Sequence, residues 1–167
     1  MVSTVVNVLE KARSVAATVT DPELPMLTLA DLGVLRDVVL DDGQLVVSIT
    51  PTYSGCPAMA TMRDDLVRVL GEAGLSATVR ISLAPAWTTD WITDTGRAAL
   101  AEHGISPPGP APQGPVTLSL LPTRRSVTCP RCASADAALT SEFGSTACKA
   151  MYQCRSCLEP FDHVKEI

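Results

Sequence analysis

The sequence predicts an α+β (α/β-like) protein: a compact α-β-β-α-β-α domain with a three-stranded mixed sheet, followed by a small cysteine-held module. Three observations carry this. Apolar residues switch between helical and strand-like spacing along residues 1–104. An Asp-Asp-Gly turn joins two alternating runs. Two Cys-x-x-Cys pairs follow a proline- and glycine-rich stretch.

Val5, Val8, Leu9, Ala12, Val15, Ala16 and Val19 recur at helical spacing and predict a first amphipathic helix. It stops at Asp21-Pro22-Glu23-Leu24-Pro25, because proline lacks an N–H and disfavours helix in the residue before it. Strand-like runs flank Asp41-Asp42-Gly43. In the second run Leu45, Val47 and Ile49 share one face, and Gln44, Ser48 and Thr50 the other. Met59, Met62, Leu66, Val69 and Leu70 mark a second helix, with Arg63, Asp64, Asp65 and Arg68 on its other side and Gly71 and Gly74 ending it. SATVRISL then alternates with Ala77, Val79, Ile81 and Leu83 inward, a third strand. WITDTGRAALAEHG predicts a shorter last helix, starting near Thr93 or Asp94 and ending at Gly104. SPPGPAPQGP has little to bury and reads as a semi-rigid linker. The expected domains are residues 1–104, a linker over 105–126 and a module over 127–167.

Hydrophobic residues make up 46% of the 167, enough for a core, but aromatics only 4%, so that core is built from aliphatic side chains. A net charge of −5 lacks the basic footprint of a nucleic-acid binder. Residues 124–167, with six Lys or Arg against five Asp or Glu, are nearly neutral too. Glu10 and Lys11 interrupt the N-terminal apolar residues, which no basic leader precedes. No run approaches the ~18 apolar residues of a membrane helix. We expect a cytoplasmic protein with no membrane or nucleic-acid partner. In that reducing compartment, six cysteines point to metal binding or thiol chemistry before disulfides.

Cys129 and Cys132 form one Cys-x-x-Cys, and Cys154 and Cys157 another, across a spacer of 21 residues. A two-residue gap lets both thiolates of a tight turn face one ion, and two turns complete a tetrahedron. A module of this size with few aromatics also needs such a staple. Zinc suits a closed four-thiolate site; iron or a cluster in the same cage, a redox dithiol pair and cysteines that merely pack remain open. Cys148 stands apart, as a small buried residue of the ribbon. His163 reads as a surface residue and His103 as the end of the last helix.

Cys56, in Pro51-Thr-Tyr-Ser-Gly-Cys-Pro-Ala-Met59, is the one cysteine before Cys129. Pro57 suits the first position of a helix, which makes Cys56 the expected N-cap, its thiolate favoured by nearby free N–H groups. A packing cysteine and a functional thiolate remain open on these grounds. Nucleophilic catalysis would need a base, and no motif ties either histidine to Cys56. Asp21 and Glu23, after the first helix, are candidate carboxylate partners at the sheet's end. A thiolate with carboxylates fits transient metal or cluster holding better than acyl transfer. One thiolate cannot hold an iron–sulfur cluster, so Cys148, an external thiol or a second chain must add ligands.

DPELPMLTLADLGVLRDV followed by TPTYSGCPAM resembles the small iron–sulfur assembly domain that includes SufT and the cytosolic assembly carriers. WTTDWITDTGRAALAEHGISPP and FGSTACKAMYQCRSCLEPFDH narrow the resemblance to the PaaD family of phenylacetate degradation, over almost the whole chain. The resemblance implies the α-β-β-α-β core and an accessory role, without enzyme activity of its own, for the multicomponent phenylacetyl-CoA epoxidase. By analogy Cys56 matches the family's reactive cysteine, and Asp21, Pro22 and Glu23 its acidic loop. The expected function is maturation, in which iron or an iron–sulfur cluster, held transiently by Cys56, reaches the oxygenase and above all its iron–sulfur reductase, with zinc structural in the ribbon. The alternative is a structural or regulatory subunit of that oxygenase. A homodimer would pair two Cys56 thiolates and supply half of a cluster's ligands.

Overall fold

The computed structural model describes residues 2–111 and 126–167. Most of the expected linker lies outside the described residues. The chain divides into two compact units, Met1–Trp87 with Trp91–Gly96, and Thr88–Asp90 with Arg97–Ile167. Among the described residues no helix is long and apolar enough to cross a membrane.

The first unit runs α1 (Val2–Ala16), β1 (Leu35–Asp41), β2 (Gln44–Ile49), α2 (Met59–Glu72) and β3 (Ala77–Ile81). Its sheet has the order β1-β2-β3, antiparallel then parallel, so the mixed α+β class holds. The β1–β2 hairpin closes on Asp42 and Gly43, with φ of 48° and 80°. Two positive φ values match the right-handed twist of the paired strands, which is why Asp-Gly serves there. β2 is central and buried on both faces: Val46 is as buried as Leu45, Val47 and Ile49, so the simple alternation fails for that residue. α2 buries Met59, Met62, Leu66 and Leu70 and ends in a Schellman motif. There the Leu75 N–H donates to Leu70 O and the Gly74 N–H to Gly71 O, with Gly74 at φ 76°. Of the four residues expected inward on β3, Ala77 and Val79 are half-buried, whereas Ile81 and Leu83 are exposed.

Gly33, at φ 73°, lies against Trp91: a Cβ there would stand 2.5 Å from Trp91 Cβ. The Trp87 indole N–H donates to Leu32 O at 2.9 Å, closing the same region. α3 (Asp94–Glu102) is capped by Thr93, whose Oγ1 accepts the Gly96 N–H. Thr93 Oγ1 also donates to Asp31 Oδ1 at 2.8 Å. A Thr at the N-cap satisfies one of the helix's orphan donors, and of the two residues the sequence offers for the helix start, Thr93 and Asp94, it is Thr93 that caps.

The second unit contains a four-stranded sheet, order β4-β7-β6-β5, built from β4 (Ile105–Ser106), β5 (Ala137–Ser141), β6 (Lys149–Cys154) and β7 (Pro160–Val164). β4 comes from residues assigned by composition to the linker. It pairs parallel to β7, placing Ser106 opposite His163. That overturns the surface reading of His163, which is 2% exposed. Its Nδ1 lies 3.2 Å from both Ser106 O and Ser106 Oγ, and its ring meets Tyr152 edge-on. His103 is exposed at the end of α3, with its ring against Ala99 O. The core of this sheet is Val127, Ala150, Tyr152 and Phe161 together with Cys129 and Cys154.

Candidate functional site

The two Cys-x-x-Cys turns are built alike. The Cys129 N–H donates to Ser134 O and the Cys154 N–H to Glu159 O, both at 2.9 Å. The residue after each second cysteine, Ala133 or Leu158, sits at positive φ, 59° and 65°. That left-handed residue reverses the chain so that both sulfurs of a turn face one point. Ser134 Oγ and Ser156 Oγ, 2.8 Å apart, link the two turns.

The four sulfurs converge within 4.8 Å of one another. Cys129 Sγ lies 3.8 Å from Cys157 Sγ, and Cys132 Sγ lies 3.5 Å from Cys154 Sγ. A tetrahedron with ~2.3 Å metal–sulfur bonds has edges of about 3.8 Å. A disulfide would need ~2.05 Å. The donor set therefore fits a metal ion and fits no disulfide. Cys129 and Cys154 are buried, while Cys132 and Cys157 face solvent.

The surroundings split the acidities of the two thiols of the second turn. The Cys157 N–H, 3.5 Å from Cys154 Sγ, together with that of Ser156, brings Cys154 down to about 6. The Glu159 N–H draws Cys157 down as well, but desolvation and the neighbouring thiols outweigh it and push Cys157 up to about 12. Four sulfurs this close cannot all ionise on their own. A divalent cation held there would be bound by all four as thiolates and would reverse that balance.

Cys56 lies on the loop between β2 and α2, at the carboxyl end of the parallel β2–β3 pair. It is half-buried. It is not the N-cap: α2 begins at Met59, and Ala58 precedes it with helical φ and no capping side chain. The Pro57-Ala58 turn comes between, and Cys56 O accepts the Met59 N–H at 3.5 Å. The Cys56 N–H donates to Tyr53 O, and the Tyr53 ring lies so close to Gly55 that a Cβ there would stand 2.8 Å from it.

Asp21 is buried and shapes its own loop. Its Oδ1 accepts the N–H groups of Glu23 at 2.7 Å and Leu24 at 2.9 Å. Its backbone N–H donates to Leu27 O. The role of an Asx turn was not read from the sequence, although Asp before Pro and Glu is its usual signal. Glu23 is exposed. This loop leads into β1, whose start borders the end of β2: the Leu35 N–H donates to Leu29 O and the Thr50 N–H to Val34 O. The Asp21 and Cys56 loops thus emerge at one end of the sheet.

Cys148 belongs to the second unit and stands outside the four-sulfur cluster. It is half-buried, with Sγ 3.1 Å from Thr146 Oγ1. Next to it Lys149 is buried and faces Asp162 at 3.6 Å. Gly144 lies against this pair, so the 143–148 segment is folded over it. The Lys149–Asp162 pair had no local signal, because it joins diagonal positions on β6 and β7, whose register pairs Lys149 with Val164 and Met151 with Asp162, whereas His163 and Glu166, in contact at 3.2 Å, are three residues apart.

A family model described as "PaaD zinc beta ribbon domain" matches residues 113–165. One described as "Iron-sulfur cluster assembly protein" matches residues 10–83. An Escherichia coli (strain K12) protein, described as one subunit of a "Putative 1,2-phenylacetyl-CoA epoxidase", is 47% identical over 148 residues, covering 88% of this chain and 86% of that protein. The crystal structure of a domain of unknown function, DUF59, from Bacillus anthracis superposes with a TM-score of 0.55 at 24% identity. It covers 60% of this chain and 97% of that one. The last likeness bears on the fold alone.

Proposed function

We propose that this chain, which belongs to the PaaD family, is an accessory maturation factor for the multicomponent phenylacetyl-CoA epoxidase. It would deliver iron or an iron–sulfur cluster to the oxygenase and its iron–sulfur reductase in the cytoplasm, without catalysing a reaction itself. The observation that carries this reading is Cys56 on a tight loop inside the segment that matches the cluster-assembly family. In this reading Cys56 is the transient ligand and hands its cargo on by thiolate exchange. Asp21 holds the neighbouring loop in shape and Glu23 offers an exposed carboxylate on it. Further ligands come from Cys148, an external thiol or a second copy, since one thiolate cannot hold a cluster.

Zinc is the ion assigned to Cys129, Cys132, Cys154 and Cys157. It supplies folding energy to the ribbon and no open coordination position. A second reading, a structural or regulatory subunit of the oxygenase, is favoured by the description of the E. coli relative as a subunit.

The deciding measurement is metal and acid-labile sulfide per chain after anaerobic purification, wild type beside Cys56→Ser. The expected result is one zinc in both, with iron and sulfide in wild type alone. Zinc without iron or sulfide, even after reconstitution, would leave the subunit reading. A reductase with full cluster occupancy in a Cys56→Ser background would also end the maturation reading.

A further inference from the structure

Each Cys-x-x-Cys turn divides its pair in the same way: Cys129 and Cys154 are buried, Cys132 and Cys157 exposed. The exposed cysteines sit in stretches, 131–133 and 155–160, that are exposed throughout. The buried ones belong to the core with Val127, Tyr152 and Phe161. Across the turns, each exposed cysteine faces a buried one. Cys132 Sγ stands 3.5 Å from Cys154 Sγ, and Cys157 Sγ 3.8 Å from Cys129 Sγ. Ser134 Oγ and Ser156 Oγ, 2.8 Å apart, tie the same two turns together.

Bound to a cation, the four sulfurs are held deprotonated, and deprotonated sulfur is the form that a peroxide oxidises. Access then selects Cys132 and Cys157. A partner for the oxidised sulfur is already at hand. Closing the 3.5 Å gap to the ~2.05 Å of a disulfide takes a movement of about 1.5 Å.

We propose that the four-cysteine cluster is also a site of reversible oxidation by hydrogen peroxide, closed by a disulfide that crosses from one turn to the other. An exposed thiolate, Cys132 or Cys157, attacks one peroxide oxygen. The O–O bond breaks, hydroxide leaves and the sulfur becomes a sulfenic acid. The buried thiolate facing it, Cys154 or Cys129, then attacks that sulfur. The S–S bond forms, the S–O bond breaks and a second hydroxide leaves. Two thiolates together lose two electrons, and the peroxide is reduced to two hydroxides. Two donors then remain where a closed site needs four, and the ion is released. The crosswise bond keeps the turns together, so reduction by a thiol returns an assembled set of ligands. The inference rests on a metal ion held by the four cysteines and is independent of the role of Cys56.

The test uses the full-length, zinc-loaded Cys56→Ser, Cys148→Ser double variant, in which the ribbon holds the only cysteines. Hydrogen peroxide is added beside a chromogenic zinc chelator, and disulfides are mapped by mass spectrometry after alkylation. The expected result is one zinc released for two thiols lost, with Cys132 joined to Cys154 or Cys157 to Cys129. A thiol reductant and fresh zinc should restore the full zinc content. Zinc retained under peroxide overturns the proposal. So does a disulfide within one turn, Cys129 to Cys132 or Cys154 to Cys157, or a loss of zinc that reductant does not reverse. Zinc content before peroxide reports on the metal assignment separately. A protein that takes up no zinc overturns both claims, whereas a zinc-bound protein inert to peroxide overturns the oxidation alone.

Discussion

Replacing Cys154 by serine should unfold the ribbon and leave the first unit intact. Cys154 is 0% exposed and serves twice, as one of four converging sulfurs and as a core side chain against Val127, Tyr152 and Phe161. A structural zinc supplies about 10–16 kcal/mol of apparent binding energy. Losing one ligand of four removes roughly a quarter of that, about 3 kcal/mol. A hydroxyl buried in place of the thiolate costs about 1–3 kcal/mol more. The total is comparable with the entire net stability of a module of this size, ~3–5 kcal/mol. The core of the first unit, with Leu27, Leu29, Leu66 and Leu70 fully buried, contains none of the ligands. The assay is amide hydrogen exchange on the zinc-loaded full chain. Amides of Ala150–Cys154 and Phe161–Val164 should lose protection, while those of Met62–Leu70 keep it. Cys148→Ser should bind zinc as wild type does, because its sulfur lies outside the cluster. Retained protection in β6 and β7 after zinc has left the Cys154→Ser protein would show that packing, and not the metal, holds the ribbon.

Gly33→Ala should destabilise the first unit by more than ~3 kcal/mol, since its left-handed φ costs about 1–2 kcal/mol and the new Cβ overlaps Trp91. Gly43→Ala, at φ 80° with open space around it, should cost only the conformational part; equal urea midpoints for the two would refute the steric account. Asp21→Ala leaves two turn amides without their acceptor and should cost about 2–4 kcal/mol. Asp21→Asn retains an acceptor oxygen, so matching losses in the two variants would count against the turn-forming role. Glu166 is held down to about 2, first by the His163 hydrogen bond and, against the opposing effect of burial, by the Gly109 N–H. Its stabilisation is thus complete above the unfolded value near 4.5 and disappears as pH falls toward 2. Glu166→Gln should cost up to about 3 kcal/mol at pH 7, with the gap to wild type closing between pH 4.5 and 2. A pH-independent gap in denaturant titrations would argue against the linkage.

Features written in local chemistry were legible. Periodic Met59, Met62, Leu66 and Leu70 marked the buried stripe of α2, Asp42-Gly43 the hairpin, and Thr93 or Asp94 the start of α3, where Thr93 is the cap. Each depends on residues within a turn or two of one another, where spacing alone decides the outcome. The metal cluster was legible for the same reason within each turn, since Cys-x-x-Cys sets two sulfurs side by side. Readings failed where a distant segment decides. His163 reads as surface until β4 is laid beside β7, and Ile81 and Leu83 read as core although they stand 46% and 62% exposed. Cys56 reads as an N-cap because Pro57 favours a helix start, but the loop spends two further residues on a turn first.

By itself, the sequence determined the α+β order of elements, the four metal-binding cysteines and the family, because periodicity, turn chemistry and ligand spacing are short-range properties. Tertiary structure alone decided that four sulfurs from two turns converge at tetrahedral distances, that Asp21 turns inward to build its loop, and that Ile81 and Leu83 stand exposed. Those outcomes depend on strand register and on which segments pack together. Both are fixed by the packing of residues far apart in the chain, which local pattern does not encode.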